Sequence, residues 1–328
     1  MRRRGIDREG MALLTVLLLV AVMSVVAVAI LDDVRFSVRR TANVEFQSQA
    51  QWYAAGAENL ARGQITRLLA GGPARTPLEP AWNGRPMTFP IDGGAITATV
   101  TDGQACFNLN SLALGVGEDL TGRPLGAAQF RALGRAVGAP DSRMGAIADA
   151  LTDWLDADTT PLPLGAEDGA YAGLAAPYRT GGTMLAEVSE LRAVRGVDAG
   201  TYRRLRPYLC ALPTSRLSPL NVNTLTPEQA PLLTMLTTGA VGPEQARAVI
   251  AARPRDGWAD AAAFWAQPAM AAVQVDLEAR EQVTVLTRFF DLRVDVELGG
   301  SRAVRTALLE AGSDGRVRTV IQRWTPEE

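Results

Sequence analysis

The chain has 328 residues, 47% of them hydrophobic, with 33 basic and 35 acidic side chains and a formal net charge of −2. It has no histidine and every basic residue is an arginine, which excludes histidine triads, histidine general bases and histidine metal sites; the acidic balance argues against a nucleic-acid footprint, which needs a basic face. Two cysteines cannot build a four-cysteine zinc site, and the length allows roughly two domains beyond any anchor.

The first ten residues read MRRRGIDREG, with Arg2, Arg3, Arg4 and Arg8 ahead of an apolar run over 11–31. Only Thr15 and Ser24 interrupt that run, and Asp32 and Asp33 stop it. At ~1.5 Å per helical residue it crosses a hydrocarbon core of ~30 Å. The arginines hold the extreme N-terminus in the cytoplasm and leave the bulk of the chain on the far side of the membrane. A cleavable secretory signal has a short apolar core with a small-residue site after it; here the processing site, between Gly10 and Met11, comes before the run. A basic leader ending in glycine ahead of a long apolar helix resembles the signal of type IV pilins and pseudopilins, in which a prepilin peptidase cuts after the glycine and methylates the new amine. On this segment alone, a plain single-pass anchor is the alternative.

The helix is expected to continue past the membrane. Residues 32–70 hold no proline, and Phe46, Tyr53, Leu60 and Leu68 recur at roughly helical spacing, which predicts an amphipathic stem ending at Gly71-Gly72-Pro73. The proline-rich stretch from there to Pro90 reads as loop. Residues 95–100 alternate and are β-branched behind the turn Asp92-Gly93-Gly94, and a second short strand is expected over 106–109. Helical patterns follow at 127–137, 143–155, 188–194, 201–209, 227–236, 243–252 and 259–266. Strands return at 289–298, 303–309 and 317–324, separated by Gly299-Gly300 and Asp314-Gly315, as in an antiparallel meander. A helix-rich segment bracketed by strands of one sheet reads as an insertion. The expected fold class is therefore α+β: leader 1–10, membrane segment 11–31, stem 32–70, an α/β domain from 71–109 and 289–328, and an inserted α-helical domain at 110–288.

Within the insertion, Asp153, Asp156, Asp158, Glu167 and Asp168 crowd together, several near an expected helix C-terminus, where an acid is unfavourable. A hard cation would relieve the repulsion, and all-oxygen ligation points to calcium, with Glu187 or Glu190 as further ligands; a solvated acidic loop is the alternative. In an oxidising periplasm Cys106 and Cys210 can form one disulfide, the alternative being two buried thiols. Asn221-Val222-Asn223-Thr224 with 242–250, and an earlier copy around Arg195-Gly196-Val197, resemble helix-hairpin-helix modules. A membrane-anchored DNA-binding uptake protein is therefore the rival reading, disfavoured by the acidic charge. An enzyme would have to rest on carboxylate pairs alone, and none is expected.

Four segments together resemble one family. They are the leader and anchor; Asp102 to Leu112, with its Phe107-Asn108-Leu109-Asn110 core; Leu151 to Asp158 with Gly165 to Asp168, Tyr171, Pro177-Tyr178-Arg179 and Ser189-Glu190-Leu191; and Cys210 to Pro213 leading to Leu220 to Thr224. In this order they are similar to the K-type minor pseudopilin of type II secretion. Thr15 fits that resemblance. Counted from Met11 it is the fifth residue, where major pilins and most pseudopilins carry a glutamate thought to meet a neighbour's terminal amine. A carboxylate in an apolar helix is costly unless paired, so threonine suits a subunit with no neighbour ahead of it. The resemblance implies a non-enzymatic subunit at the tip of the pseudopilus that starts filament assembly. Its implied partners are the I and J minor pseudopilins, the processing peptidase, and a secreted substrate or the outer-membrane channel, with no nucleic acid; calcium is expected in the insertion.

Overall fold

The computed structural model describes residues 8–117 and 119–324; the leader arginines Arg2, Arg3 and Arg4 lie outside the described residues. Helix α1 runs unbroken over Arg8–Ala70. Its N-terminal part includes a stretch of mean hydropathy 3.0 that is not buried against the rest of the chain, long and apolar enough to cross a membrane. Its C-terminal part lies on a sheet. The buried face is only in part the one expected. Ala50, Ala54 and Ile65 are buried and Phe46, Ala57, Ala61 and Leu69 are partly covered, whereas Tyr53 and Leu60 are exposed. Alanine methyls let the helix backbone come close to the strands, with Phe46, Ile65 and Leu69 beside them and Trp52, Tyr53 and Leu60 turned outward.

Strand β1, Met87–Ile91, forms where the prolines suggested loop. It is an edge strand, a place where Pro90 can lack an amide proton without breaking an inner ladder. After β2, Gly94–Asp102, the chain leaves the sheet. It passes through β3 (Phe107–Asn108), the hairpin β4–β5 (Ala113–Val116 and Asp119–Gly122), α2 (Pro124–Ala136), α3 (Asp141–Leu155) and α4 (Asp168–Tyr171). A 3-10 turn over Val188–Ala193 leads to α5 (Ala199–Leu205), β6 (Leu209–Cys210), β7 (Leu220–Asn221), α6 (Ala230–Leu236) and α7 (Pro243–Ala251). Then come α8 (Ala261–Trp265), α9 (Pro268–Ala271), α10 (Leu277–Glu281) and β8 (Val283–Thr284). The chain returns to the sheet with β9 (Phe289–Leu298), β10 (Ser301–Ala311) and β11 (Val317–Arg323). The order β1-β2-β9-β10-β11 is antiparallel throughout. The hairpin β4–β5 and the short helices α4, α9 and α10 were not expected, and the helix expected at 188–194 is a 3-10 turn.

Two cores result. One holds the stem against β2, β9 and β10 around Phe290, Val294 and Val296; the other fills the insertion around Phe107, Phe130, Leu133 and Trp258. They meet where the insertion departs and returns, because Asp102 is paired in register with Phe290. The Gln104 side chain closes this junction: its Nε2 donates to the Leu286 carbonyl at 2.8 Å and its Oε1 accepts from the amides of Arg288 at 2.8 Å and Phe289 at 3.2 Å. The buried Asp102 carboxylate accepts from the Gln104 amide at 2.9 Å and from the hydroxyls of Thr224 and Thr287. Burial pushes its pKa up to about 6.

Cys106 and Cys210 form a disulfide with Cα atoms 5.7 Å apart. It sits at the base of the insertion, at the parallel pair β3–β6, of which Cys210 is a member. Cys210 also packs with Phe289, Leu308 and Ile321 of the sheet. The bridge closes a loop across a separation of 104 residues, so Cys106→Ala with Cys210→Ala should lower the unfolding free energy by ~2–4 kcal/mol. Denaturant titration of the purified full-length chain checks this; an unchanged midpoint and slope would contradict it.

Candidate functional site

Helix α3 ends at Leu155, and Asp156 is its C-cap. The chain then makes an excursion over 157–167 before α4. Asp153, one turn back and almost fully buried, holds that excursion: its carboxylate accepts the Leu162 amide at 3.1 and 3.2 Å. Asp158 accepts the Thr160 amide at 2.7 Å, and Asp149 accepts the Leu164 amide at 3.2 Å. Gly165 is needed here because a Cβ would stand 1.9 Å from Asp153 Oδ2. Trp154, Tyr171 and Tyr178 form an aromatic wall beside it, the two tyrosines stacked at 5.1 Å.

This path gathers Asp156, Asp158 and Glu167, each with one carboxylate oxygen within 4.8 Å of the other two. Asp156 Oδ1 and Glu167 Oε1 are buried and have no hydrogen-bond partner. No arginine pairs with Asp153, Asp156, Asp158 or Glu167 among the described residues. Burial first, then the charges of Asp158, Asp153 and Glu167, push the Asp156 pKa up to about 7. Burial and neighbouring carboxylates raise Asp153 and Glu167 as well. Buried carboxylate oxygens without donors are what an oxygen-seeking divalent cation would satisfy, so the residues fit calcium.

The other expected ligands stand apart. Asp168 lies at the start of α4 and accepts the amide and hydroxyl of Thr180 at 2.9 and 3.0 Å, which with Arg179 holds its pKa below the ordinary value. Glu190 Oε1 accepts the amides of Ala186 and Glu187, both at 2.7 Å, closing a capping box. Glu187 pairs with Arg323 at 2.9 Å. Neither joins the cluster; the Glu-x-x-Glu spacing marked a helix start.

The repeated Asn-x-Asn segments act as brackets, a role the sequence reading missed. Asn108 donates to the carbonyls of Thr214 and Arg216 and accepts from Leu212; Asn110 exchanges hydrogen bonds with Leu185 and donates to Leu212. Asn223 exchanges two with Trp258, against Gly257. The signal available was two buried-type asparagines two residues apart beside apolar neighbours. In the hairpin at Gly196, Asp198 caps α5 by accepting the Thr201 amide at 2.6 Å and pairs with Arg143. In the stem, the Thr15 hydroxyl donates to the carbonyls of Met11 and Ala12 at 3.1 and 2.9 Å, so it needs no partner from another chain.

Two family models, both described as type II secretion system protein K, match residues 105–214 and 220–285. The chain is 38% identical to type II secretion system protein K of Aeromonas hydrophila, with 96% of each chain covered. It is 37% identical to that of Pectobacterium carotovorum, again with 96% of each covered. It is 35% identical to that of Pseudomonas aeruginosa, covering 98% of this chain and 93% of the relative. A chain in the crystal structure of the GspK-GspI-GspJ complex from the enterotoxigenic Escherichia coli type 2 secretion system superposes with a TM-score of 0.77 and 33% identity. The match covers 88% of this chain and 100% of that one.

The raised carboxyls have a consequence for stability in the presence of chelator. Because the folded-state pKa of Asp156 lies above the ordinary 3.8, at about 7, the fold binds protons the unfolded chain does not. The resulting stability is full below about pH 4 and is lost as pH rises through about 7. Melting in chelator should therefore rise as pH falls from about 8 to 6, and Asp156→Asn should flatten that slope. An equal slope in both proteins would contradict the assignment.

Proposed function

The chain belongs to the type II secretion system protein K family, and from that premise we propose that it is the minor pseudopilin at the tip of the pseudopilus, where it starts filament assembly and supports export of folded proteins across the outer membrane. The observation that carries this reading is the match, over 88% of this chain, to a chain of the solved GspK-GspI-GspJ complex. By that likeness its partners are the I and J minor pseudopilins. The apolar helix anchors it in the inner membrane with the head in the periplasm, and a prepilin peptidase cuts between Gly10 and Met11. Thr15, its hydroxyl satisfied within its own helix, suits a subunit with none ahead. We assign it no catalytic role.

The same reading places calcium in the insertion, held by Asp156, Asp158 and Glu167 beside Asp153. The ion would supply positive charge to carboxylates that otherwise repel. The chain's own residues fix the loop that brings those carboxylates together.

Two outcomes follow. A strain lacking the chain should regain secretion with the wild-type protein, whose intact mass should begin at Met11, and not with Gly10→Val, whose mass should retain the leader. A wild-type mass beginning at Met1, or full secretion with uncut Gly10→Val, would contradict the pseudopilin role. For calcium, binding to the folded state adds ~2.7 kcal/mol at about a hundredfold excess over Kd. Chelation should lower the melting temperature, and Asp156→Ala with Asp158→Ala should abolish the chelator's effect. Identical melting with calcium and with chelator would leave the loop merely solvated.

A further inference from the structure

The contact between α1 and the sheet is centred on four alanine methyls, with Phe46, Ile65 and Leu69 beside them on the helix side. Ala50 and Ala54 are fully buried, and Ala57 and Ala61 are partly so. The second pair repeats the first seven residues on, so after a shift of two turns, about 10 Å, a pair of alanines again faces the sheet. Apolar burial is non-directional, and such a face defines axial position and rotation only weakly.

Glu58 lies on that face. It is 6% exposed and is the one buried charged side chain of α1 among the described residues. Its Oε2 accepts from Nε of Arg305 on β10 at 2.5 Å, and its Oε1 accepts the hydroxyl of Thr319 on β11. Arg305, 8% exposed, also donates to Gln322 Oε1, and its guanidinium lies over the Trp324 ring at 4.5 Å. These contacts are directional and join α1, β10 and β11. A shifted helix would carry Glu58 away and set Gln51 or Ile65 in its place, leaving a buried guanidinium without a counter-charge, which is strongly unfavourable.

We propose that the Glu58–Arg305 pair is the register pin of the stem: it fixes one rotation and one axial position of α1 on the sheet. It thereby fixes which stem face, the one bearing exposed Trp52 and Leu60, is turned toward neighbouring subunits. That last consequence rests on the filament role proposed above; the pin itself does not.

The test is a distance measured by pulsed electron resonance on the isolated full-length chain in detergent, so its outcome is independent of the filament. Spin labels go on Ser48→Cys in the exposed stem and Ser313→Cys in the exposed turn between β10 and β11; the native cysteines are bonded to each other and stay unlabelled. The parent should show one narrow distance. Glu58→Leu with Arg305→Met should still unfold cooperatively and show a broad or split distribution. Arg305→Lys, which keeps the charge and loses the planar fork, should broaden it less. Phe46→Ala, which removes the ring that packs on Gly299, should leave it narrow. A narrow parent-like distance in the double variant would overturn the proposal. Should the double variant fail to fold, Arg305→Lys decides, and a parent-like distance there overturns it too. So would equal broadening by Phe46→Ala, because packing would then set the register.

Discussion

The rest of the structure depends on one constraint: the insertion leaves and re-enters the sheet at adjacent strand ends. Asp102 closes β2 and stands opposite Phe290 in β9, so the chain enters and leaves the insertion at one pair of neighbouring residues. Such an attachment would swivel unless fixed. Gln104 bonds across it three times, Asp102 gathers hydroxyls from Thr224 and Thr287, and the Cys106–Cys210 bridge lies just beyond. A buried carboxylate is a costly choice for such a place. It accepts from the Gln104 backbone, the Thr224 hydroxyl in the insertion and the Thr287 hydroxyl on the returning segment, and that shared acceptor binds three segments at one atom group.

From this fixed base the molecule is organised in opposite senses on its two sides. The stem side is a narrow contact of four alanines with Phe46, Ile65 and Leu69 against strands, while Trp52, Tyr53 and Leu60 turn outward along α1. The insertion side has a large apolar core stitched by buried asparagines, and it bears the carboxylate loop at its surface. The loop is shaped by its acids as well as charged by them. Asp153 and Asp149 hold backbone amides of the excursion, and Asp156 and Glu167 keep oxygens buried without donors. Electrostatic strain is therefore confined to a loop whose backbone is already fixed.

Elements with a strong period or an uninterrupted run were legible in the sequence. The apolar helix, β9 and the C-terminal meander formed where expected, because alternation and turn glycines agreed there. Strand β1 was hidden by Pro90, which an edge position tolerates. The hairpin β4–β5 was hidden by its shortness and by glycines at 115 and 117. The inward stem face was partly misjudged, because large residues dominate a hydrophobicity pattern, whereas close helix–sheet contact favours alanine. At the site, the Asp156, Asp158 and Glu167 grouping followed from the crowding of acids along the chain. Glu187 and Glu190 did not join it, because their spacing serves a capping box and Glu187 is held by Arg323.

The most direct test of the central claim is co-purification. The membrane-extracted full chain, expressed with the I and J minor pseudopilins of its own system and carrying the only affinity tag, should elute from size exclusion as one complex containing all three. Elution of the folded, processed chain alone, with I and J absent under the same conditions, would contradict the account.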